Sequence, residues 1–258
     1  MIPALLLALG LGVAPGVRAE LRELRTDRPD VTEGPFTVDA GHWQVELDFA
    51  NYSRDRQDGG RSVEWGVLPF NLRRGITPDF ELGLFAEPFQ QVTGTPPAGP
   101  GVRRSGTGDL TLRAKVNFWG NDGGRTAFGL IVDCKLPTAA RGLGNCKLEG
   151  ALVLPLNVEL APGWELGAMT RLSAAYGDRD SYRAIWDNTV TLGHRLTANT
   201  GAYLEFTSSA GYGPVATTVN SGMTWQLDAN LQLDAGMNLG VSRNAPDWQV
   251  FTGLSRRF

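Results

Sequence analysis

The stretch Leu148–Leu172, LEGALVLPLNVELAPGWELGAMTRL, decides the fold. Leu148, Gly150, Leu152, Leu154, Leu156, Val158 and Leu160 take every second position, with Glu149, Ala151, Val153, Pro155, Asn157 and Glu159 between them. Ala161-Pro162-Gly163 supplies a turn. Trp164, Leu166, Ala168, Thr170 and Leu172 then resume the alternation against Glu165, Met169 and Arg171. A period of two sends successive side chains to opposite faces, so the stretch is a β-hairpin. Strands of about ten residues are longer than a sandwich needs and match the length that crosses a bilayer at a tilt.

The rest of the chain repeats this unit. Outward from the hairpin, alternating runs begin at His42, at Ser62–Arg73 (with a parity change near Pro69), and at Phe80, Leu110 and Phe128. Beyond it they cover Arg183–Arg195, Thr200–Ser208, Val219–Leu227, Leu231–Val241 and Trp248–Phe258. The expected fold class is all-β: a transmembrane antiparallel up-and-down β-barrel of about twelve strands, an even number as single-chain bacterial barrels require. Connections near 75–79, 119–125, 161–163, 197–199 and 228–230 are short. They alternate with mostly longer ones near 53–61, 93–107, 137–146, 177–182, 209–215 and 242–247, with Gly94–Gly108 the longest loop. Short periplasmic turns and longer outer loops are the expected asymmetry, and an even strand count puts both termini in the periplasm.

Composition fits this reading. No internal stretch approaches the ~18 apolar residues of a membrane helix, and a mean hydropathy of -0.16 suits a barrel whose strands turn half their side chains to a polar lumen. Residues 1–19 read as a secretory signal, with the apolar core Leu5–Leu11 and small residues before a cut after Ala19. Loss of Arg18 leaves 23 basic against 27 acidic residues, a mild acidity that points away from nucleic acid. Residues 20–41 form a polar N-terminal segment, a candidate periplasmic cap or plug, and 42–258 the outer-membrane barrel. Asp27, Arg28, Asp30 and Glu33 cluster in that segment. Export places Cys134 and Cys146 in an oxidising compartment, where a symmetric hairpin register would let them bridge. The rival reading is two free thiols.

Trp43, Phe80, Phe118, Trp119, Trp164, Trp225 and Phe258 fall at strand ends on one side, as an aromatic girdle at a membrane interface does. Phe258 also ends the chain after the alternating Val250, Thr252 and Leu254. A terminal Phe is the signal that barrel-assembly machinery reads, although Arg256 occupies a position where an aromatic or apolar residue is usual.

Four motifs carry a family resemblance: Thr26-Asp27-Arg28-Pro29-Asp30-Val31-Thr32-Glu33-Gly34-Pro35-Phe36-Thr37-Val38 with Gly41-His42, then Gly108–Lys115, Lys135–Thr138 and Ala245–Trp248. With them the chain resembles the proteobacterial outer-membrane transporter family labelled by a meta-pathway of phenol degradation. The resemblance implies an outer-membrane barrel that passes small molecules, aromatic ones among them. It transfers no catalytic residue.

No motif for chemistry stands beside it. His42 and His194 lack metal-ligand spacing, and no phosphate loop or nucleophile elbow is present. No catalytic residue, metal or cofactor is expected. The lumen-facing candidates are Glu46, Asp48, Arg113, Lys115, Asp133, Lys135, Glu149, Glu159, Arg171, Asp187, Glu205 and Asp234. Arg113 with Lys115 would form a positive strip, and Glu46 with Asp48 a negative one, tuning the selectivity of a passive pore for small solutes. The alternatives are a structural or adhesion barrel whose lumen is blocked and, further off, a lipid-modifying enzyme. The expected partners are outer-membrane lipid, the assembly machinery and a small-molecule solute.

Overall fold

The alternating strands close on themselves. The computed structural model describes residues 21–57, 59–177, 180–211 and 213–258, and among these there is no helix. The expected signal sequence therefore lies outside the described residues. The strands are β1 (Trp43–Asp55), β2 (Arg61–Val67), β3 (Phe70–Thr77), β4 (Phe80–Ala86), β5 (Phe89–Thr95), β6 (Val102–Gly106), β7 (Leu110–Trp119), β8 (Thr126–Leu136), β9 (Glu149–Ala161), β10 (Trp164–Gly177), β11 (Ser181–Arg195), β12 (Thr200–Gly211), β13 (Gly213–Asp228), β14 (Leu231–Gly240) and β15 (Trp248–Arg257). They make one antiparallel sheet, and β15 pairs with β1 to close it. At this seam the Phe258 amide donates to the Trp43 carbonyl at 2.8 Å, and the Trp43 amide donates back at 3.2 Å.

The barrel has twelve spans, because three of them are each broken in two. β1 pairs with β3 through Trp43–Leu47 and with β2 through Ala50–Asp55, so β2 and β3 are halves of one span. β4 with β5, and β6 with β7, divide in the same way. The parity change near Pro69 is this first break. Leu68 has φ 57, a left-handed conformation unfavourable for a branched side chain. On the facing strand β1 a bulge between Asp48 and Ala50 shifts the register at the same height, so both strands exchange faces together.

Two expectations about loops need correction. Gly94–Gly108 is not the longest loop: its ends belong to the paired strands β5 and β6, and only 96–101, where the prolines concentrate, remains as a connection. Backbone pairing holds this hairpin together without an apolar alternation. The 209–215 region is also mostly strand, since β12 runs to Gly211 and β13 starts at Gly213. The cysteine bridge is not formed. Cys134 stands opposite Gly150 in the β8–β9 ladder, whereas Cys146 lies in the 137–148 connection with φ 58, and both thiols are free.

The barrel is apolar outside and polar inside. Leu152, Leu154, Leu172, Val190 and Leu204 project outward and are exposed, while Lys115, Glu81, Glu205 and Asp234 are each at most 1 % exposed. A water-soluble protein shows the reverse, and lipid is the medium that suits this surface. At the end with the short turns, Trp43, Phe118, Trp119, Trp164, Trp225 and Phe258 are exposed. Phe118 and Trp119 pack on Phe128 at 5.8 and 5.1 Å, and Trp164 stacks on His194 at 3.9 Å. That ring of aromatics matches a headgroup-level girdle.

An arginine replacing lipid-facing Leu154 should cost roughly 2–4 kcal/mol if it lies near the midplane, whereas alanine at lumen-facing Asn157 should cost much less. Urea titration of the reconstituted barrel, followed by the loss of its fast-migrating unboiled form, measures the difference.

Candidate functional site: the lumen and the segment inside it

Residues 21–41 enter the barrel from the short-turn end, bend within it and return to the same end. Both limbs are tied at the entrance. Arg22 pairs with Asp39 at 2.8 Å and donates to the Pro78 carbonyl at 3.2 Å. The Thr37 hydroxyl donates to that same carbonyl at 2.7 Å, and Arg257 of β15 pairs with Asp39 at 2.7 Å. Deeper in, the Gly34 amide donates to the Asp27 carboxylate at 3.2 Å and closes a loop over 27–34.

Asp27 sits at the hub of the wall's charges. Its carboxylate lies 2.7 Å from Lys115 on β7 and 3.2 Å from Arg73 on β3. Arg73 also pairs with Glu46 of β1 at 2.6 Å and Glu81 of β4 at 2.8 Å. The Asp27 amide donates to Glu46 at 3.0 Å and the Val38 amide to Glu81 at 2.7 Å. Lys115 and Arg73 take up the Gly34 and Phe36 carbonyls, each at 2.9 Å. Glu33 extends the network by pairing with Arg113 at 2.7 Å, and Arg113 pairs in turn with Asp133 at 2.8 Å. Burial alone would raise the Asp27 pKa, but the positive charges of Arg73, Lys115 and Arg113 prevail and hold it well below the carboxylate range. For Glu33 burial outweighs the Arg113 charge, and its pKa is raised.

Arg28 clamps the seam. Its guanidinium pairs with Asp48 of β1 and, at 2.5 Å, with Asp234 of β14, spanning the strand β15 between them. Only a glycine on β15 leaves room for this, since a Cβ on Gly253 would come within 2.5 Å of the guanidinium.

On the opposite wall Glu205 of β12 receives the Val31 and Thr32 amides at 3.1 and 2.7 Å, the Thr32 hydroxyl at 2.6 Å and Asn220 at 2.6 Å. Thr32 also meets the Thr189 hydroxyl at 2.6 Å. Asp30, next to this anchor, has no ion pair among the described residues. Burial and the nearby Glu205 carboxylate push its pKa well above the ordinary value.

All of the sequence-derived lumen candidates lie on the inward face of their strands, but few of them are free. Glu46, Asp48, Arg113, Lys115 and Asp234 are bound to the segment directly or through Arg73, so the two charged strips do not stand open to water. Near the other end of the barrel Lys135 pairs with Asp109 at 3.2 Å and Glu149 at 2.6 Å, and Arg171 reaches Asp133 at 3.3 Å. Asp187 stands in register with Arg171, and Glu159 lines the entrance. Sequence reasoning missed Arg73 and Glu81. Glu81 was readable, since it alternates with Phe80 and Leu82; Arg73 was obscured by the parity change at Pro69.

The segment does not fill the lumen evenly. Between it and the wall from β9 to β14 lies a cavity of about 1680 Å³, open at the short-turn end. Gly167, Thr191, Gly193, Gly201, Ala202 and Thr224 line that wall with small side chains. Ile131, Val153 and Met169 form a small buried apolar cluster, touched by the segment where the Glu33 amide meets the Met169 sulfur at 3.4 Å.

A closed twelve-span barrel, apolar outside, with charged walls and its own N-terminal segment held within, is a β-barrel of the outer-membrane type. Residues 26–258 match the family described as "Putative MetA-pathway of phenol degradation", and the chain belongs to that family. In fold it is similar to an outer membrane channel from Pseudomonas putida F1, at 15 % identity over 91 % of this chain and 100 % of that one, with a TM-score of 0.63. It is also similar to the NanC porin (7 %, 83 % and 98 %, TM-score 0.53). The translocator domain of the autotransporter NalP from Neisseria meningitidis is another structural relative (10 %, 85 % and 89 %, TM-score 0.51). At these identities the likeness is one of fold. Among functionally curated proteins none matches.

Replacing Arg28 with alanine strands two carboxylates at the seam and should cost roughly 3–5 kcal/mol; the lysine variant, which keeps the charge, should recover part of this. The midpoint for loss of the heat-modifiable form reads both. A second outcome concerns acid. Because the Asp27 pKa is depressed in the folded protein, its contribution to stability is complete above the unfolded value of about 4 and is lost as pH falls below it toward the folded value. Wild type should therefore lose more stability between pH 5 and pH 2 than Asp27→Asn does, a comparison that cancels the opposite effect of Asp30 and Glu33.

Proposed function

We propose that this protein is a passive outer-membrane channel for small molecules, with both termini in the periplasm and the 21–41 segment narrowing the lumen. The observation that carries the reading is the cavity of about 1680 Å³ beside the segment. A barrel sealed by its own N-terminus has no use for such a space, and small residues such as Gly167, Thr191, Gly193 and Gly201 in the wall help to open it. Most of the charged residues that fix the segment stand on β1–β8, with Glu165, Glu205 and Asp234 as its anchors on the other wall, so the space for passage lies on the β9–β14 side. The expected solutes are small and largely neutral. Aromatic compounds are included because the family's description names phenol degradation and because the Tyr203 ring lines the cavity. Short-turn ends in the periplasm agree with the usual topology of such barrels.

The competing reading is a structural barrel with a blocked lumen, motivated by the many contacts of the segment. Planar-bilayer recording separates the two, using wild type, a variant lacking residues 21–40, and Arg113→Ala/Lys115→Ala. A channel gives measurable conductance in wild type and a larger one in the deletion, because water then reaches the wall charges that the segment had covered. The double variant should shift toward cation preference. Silence in all three, with heat-modifiability intact, would mean a closed barrel.

A further inference from the structure

The aromatic girdle at the short-turn end has a counterpart at the long-loop end. Tyr52 packs on Trp248 and Trp65 on Phe89, each pair with ring centroids 5.2 Å apart. All four rings are on the outward face. Trp248 stands in register with outward Leu239 of β14, Tyr52 with Val250 of β15 and with Trp65 of β2, and Phe89 of β5 with Val67. Asn238 and Gln249, one position over, join their side chains inside the barrel at 3.0 Å. Tyr52 is nine residues along β1 from Trp43 of the first girdle. That is about 30 Å of strand, or roughly 23 Å across the membrane at the usual tilt of about 40°. An apolar band of about 25 Å is what such a barrel presents, so the two girdles mark its two boundaries.

Just beyond the second girdle the same outward face turns cationic. Arg54 is two residues past Tyr52 and opposite Val63; Thr93 of β5 follows Val63 in the ladder, and Arg103 of β6 follows Thr93. Arg61 is two residues from Val63 on β2 and shares its face. The three arginines form one patch whose ends, Arg54 and Arg103, are three strand spacings or about 14 Å apart at the backbone. None of them pairs with a carboxylate among the described residues. Arg61 and Arg103 are exposed. Arg103 is steadied by the Gln91 amide oxygen at 2.5 Å, and Arg54 keeps a buried Nε without an acceptor. Asp55 and Glu64, adjacent in the chain, alternate to the inward face, and Asp247 at the rim is taken by Arg56 at 2.8 Å. Toward the same end of β9 to β14 the outward strand positions carry no charge. A guanidinium at a membrane boundary with no carboxylate beside it is matched by phosphate, to which its planar fork donates two parallel hydrogen bonds.

We propose that the outward face of β1, β2, β5 and β6 at the long-loop end binds the phosphorylated sugar headgroup of lipopolysaccharide, the glycolipid of the outer leaflet. Arg54, Arg61 and Arg103 donate to its phosphates, and their spread suits a headgroup that carries more than one. Tyr52, Trp65, Phe89 and Trp248 sit beneath, at the level where headgroup gives way to acyl chain. A face turned toward the bilayer is reached by lipid, which selects a lipid phosphate over a soluble one. The site rests on the periplasmic placement of the termini stated above and not on conduction.

Native mass spectrometry of the full-length barrel in detergent tests it, with three probes: lipid A bearing both of its phosphates, the same lipid with the phosphates removed, and phosphatidylglycerol. Wild type should retain the first in preference to the other two. Arg61→Gln/Arg103→Gln changes only exposed side chains, and it should weaken that retention by roughly tenfold or more. Adding Arg54→Gln should weaken it further; if the triple variant fails to give the heat-modifiable form, the double variant decides. Lys147→Gln removes a cation stacked on Tyr176 at 4.8 Å, away from the patch, and should leave retention unchanged. Equal retention of the phosphate-free lipid or of phosphatidylglycerol, an equal loss in Lys147→Gln, or no retained lipid overturns the site. A barrel that retains lipid A and is silent in planar bilayers keeps the site and removes the channel, and one that conducts without retaining lipid A does the reverse. Orientation is read separately from Cys146, a free and exposed thiol in the 137–148 connection. A maleimide too large to cross the outer membrane should label it in intact cells, and protection there would overturn both the orientation and the site.

Discussion

Charge inside a closed barrel must be neutralised where water does not reach, and the pairing of Asp27 with Lys115 and Arg73 is where this chain meets that requirement. Lys115 and Arg73 are almost wholly buried, and so are Glu46 and Glu81 beside them. An unpaired ammonium or guanidinium at such a place is strongly unfavourable. The wall supplies only part of the compensation. Asp27, Glu33 and Arg28 supply much of the remainder, so the N-terminal segment is a structural component of the barrel and not a linker before it. The network also crosses the closing seam, because Arg28 joins β1 to β14 and Asp39 binds Arg257 of β15.

This arrangement divides the lumen. Ion pairs concentrate on the wall from β1 to β8, where side chains are long and the segment lies against them. From β10 to β13 the inward positions near the short-turn end include Gly167, Thr191, Gly193, Gly201 and Thr224, and the space they leave is part of the cavity. Position on the barrel circumference therefore separates residues that hold the segment from residues that border the path. Glu205 does both, since it anchors Val31 and Thr32 from the far wall and leaves Asp30 beside it without a base.

Much of this was legible in the chain. Alternation in Leu148–Leu172 set strand, hairpin and span length together, because outward leucines face lipid while Glu149, Asn157 and Glu159 face inward. The aromatic positions and the terminal Phe258 gave the orientation of the strand ends. What alternation could not supply was partnership. Arg113 and Lys115 read as an open positive strip because period two gives a face and says nothing of what stands opposite; their partners, Glu33 and Asp27, are about eighty residues away and joined through the fold. Cys134 and Cys146 suggested a bridge under a symmetric register, but the 137–148 connection is asymmetric and puts Gly150 opposite Cys134. Strands β5 and β6 were hidden because their pairing is by backbone, amid residues whose side chains suggest a loop.

The central claim is that residues 21–41 occupy the lumen, and proximity inside the membrane-embedded protein tests it most directly. Thr32 of the segment and Thr189 of β11 bring their hydroxyls within 2.6 Å. In a chain with Cys134 and Cys146 changed to serine, the pair Thr32→Cys and Thr189→Cys should form a disulfide on mild oxidation in outer-membrane vesicles, seen as a reducible shift in gel mobility of the denatured protein. Thr32→Cys combined with a cysteine at outward-facing Val190 should form none. Two free, alkylatable thiols in the Thr32–Thr189 variant under those conditions would place the segment outside the barrel and contradict the assignment.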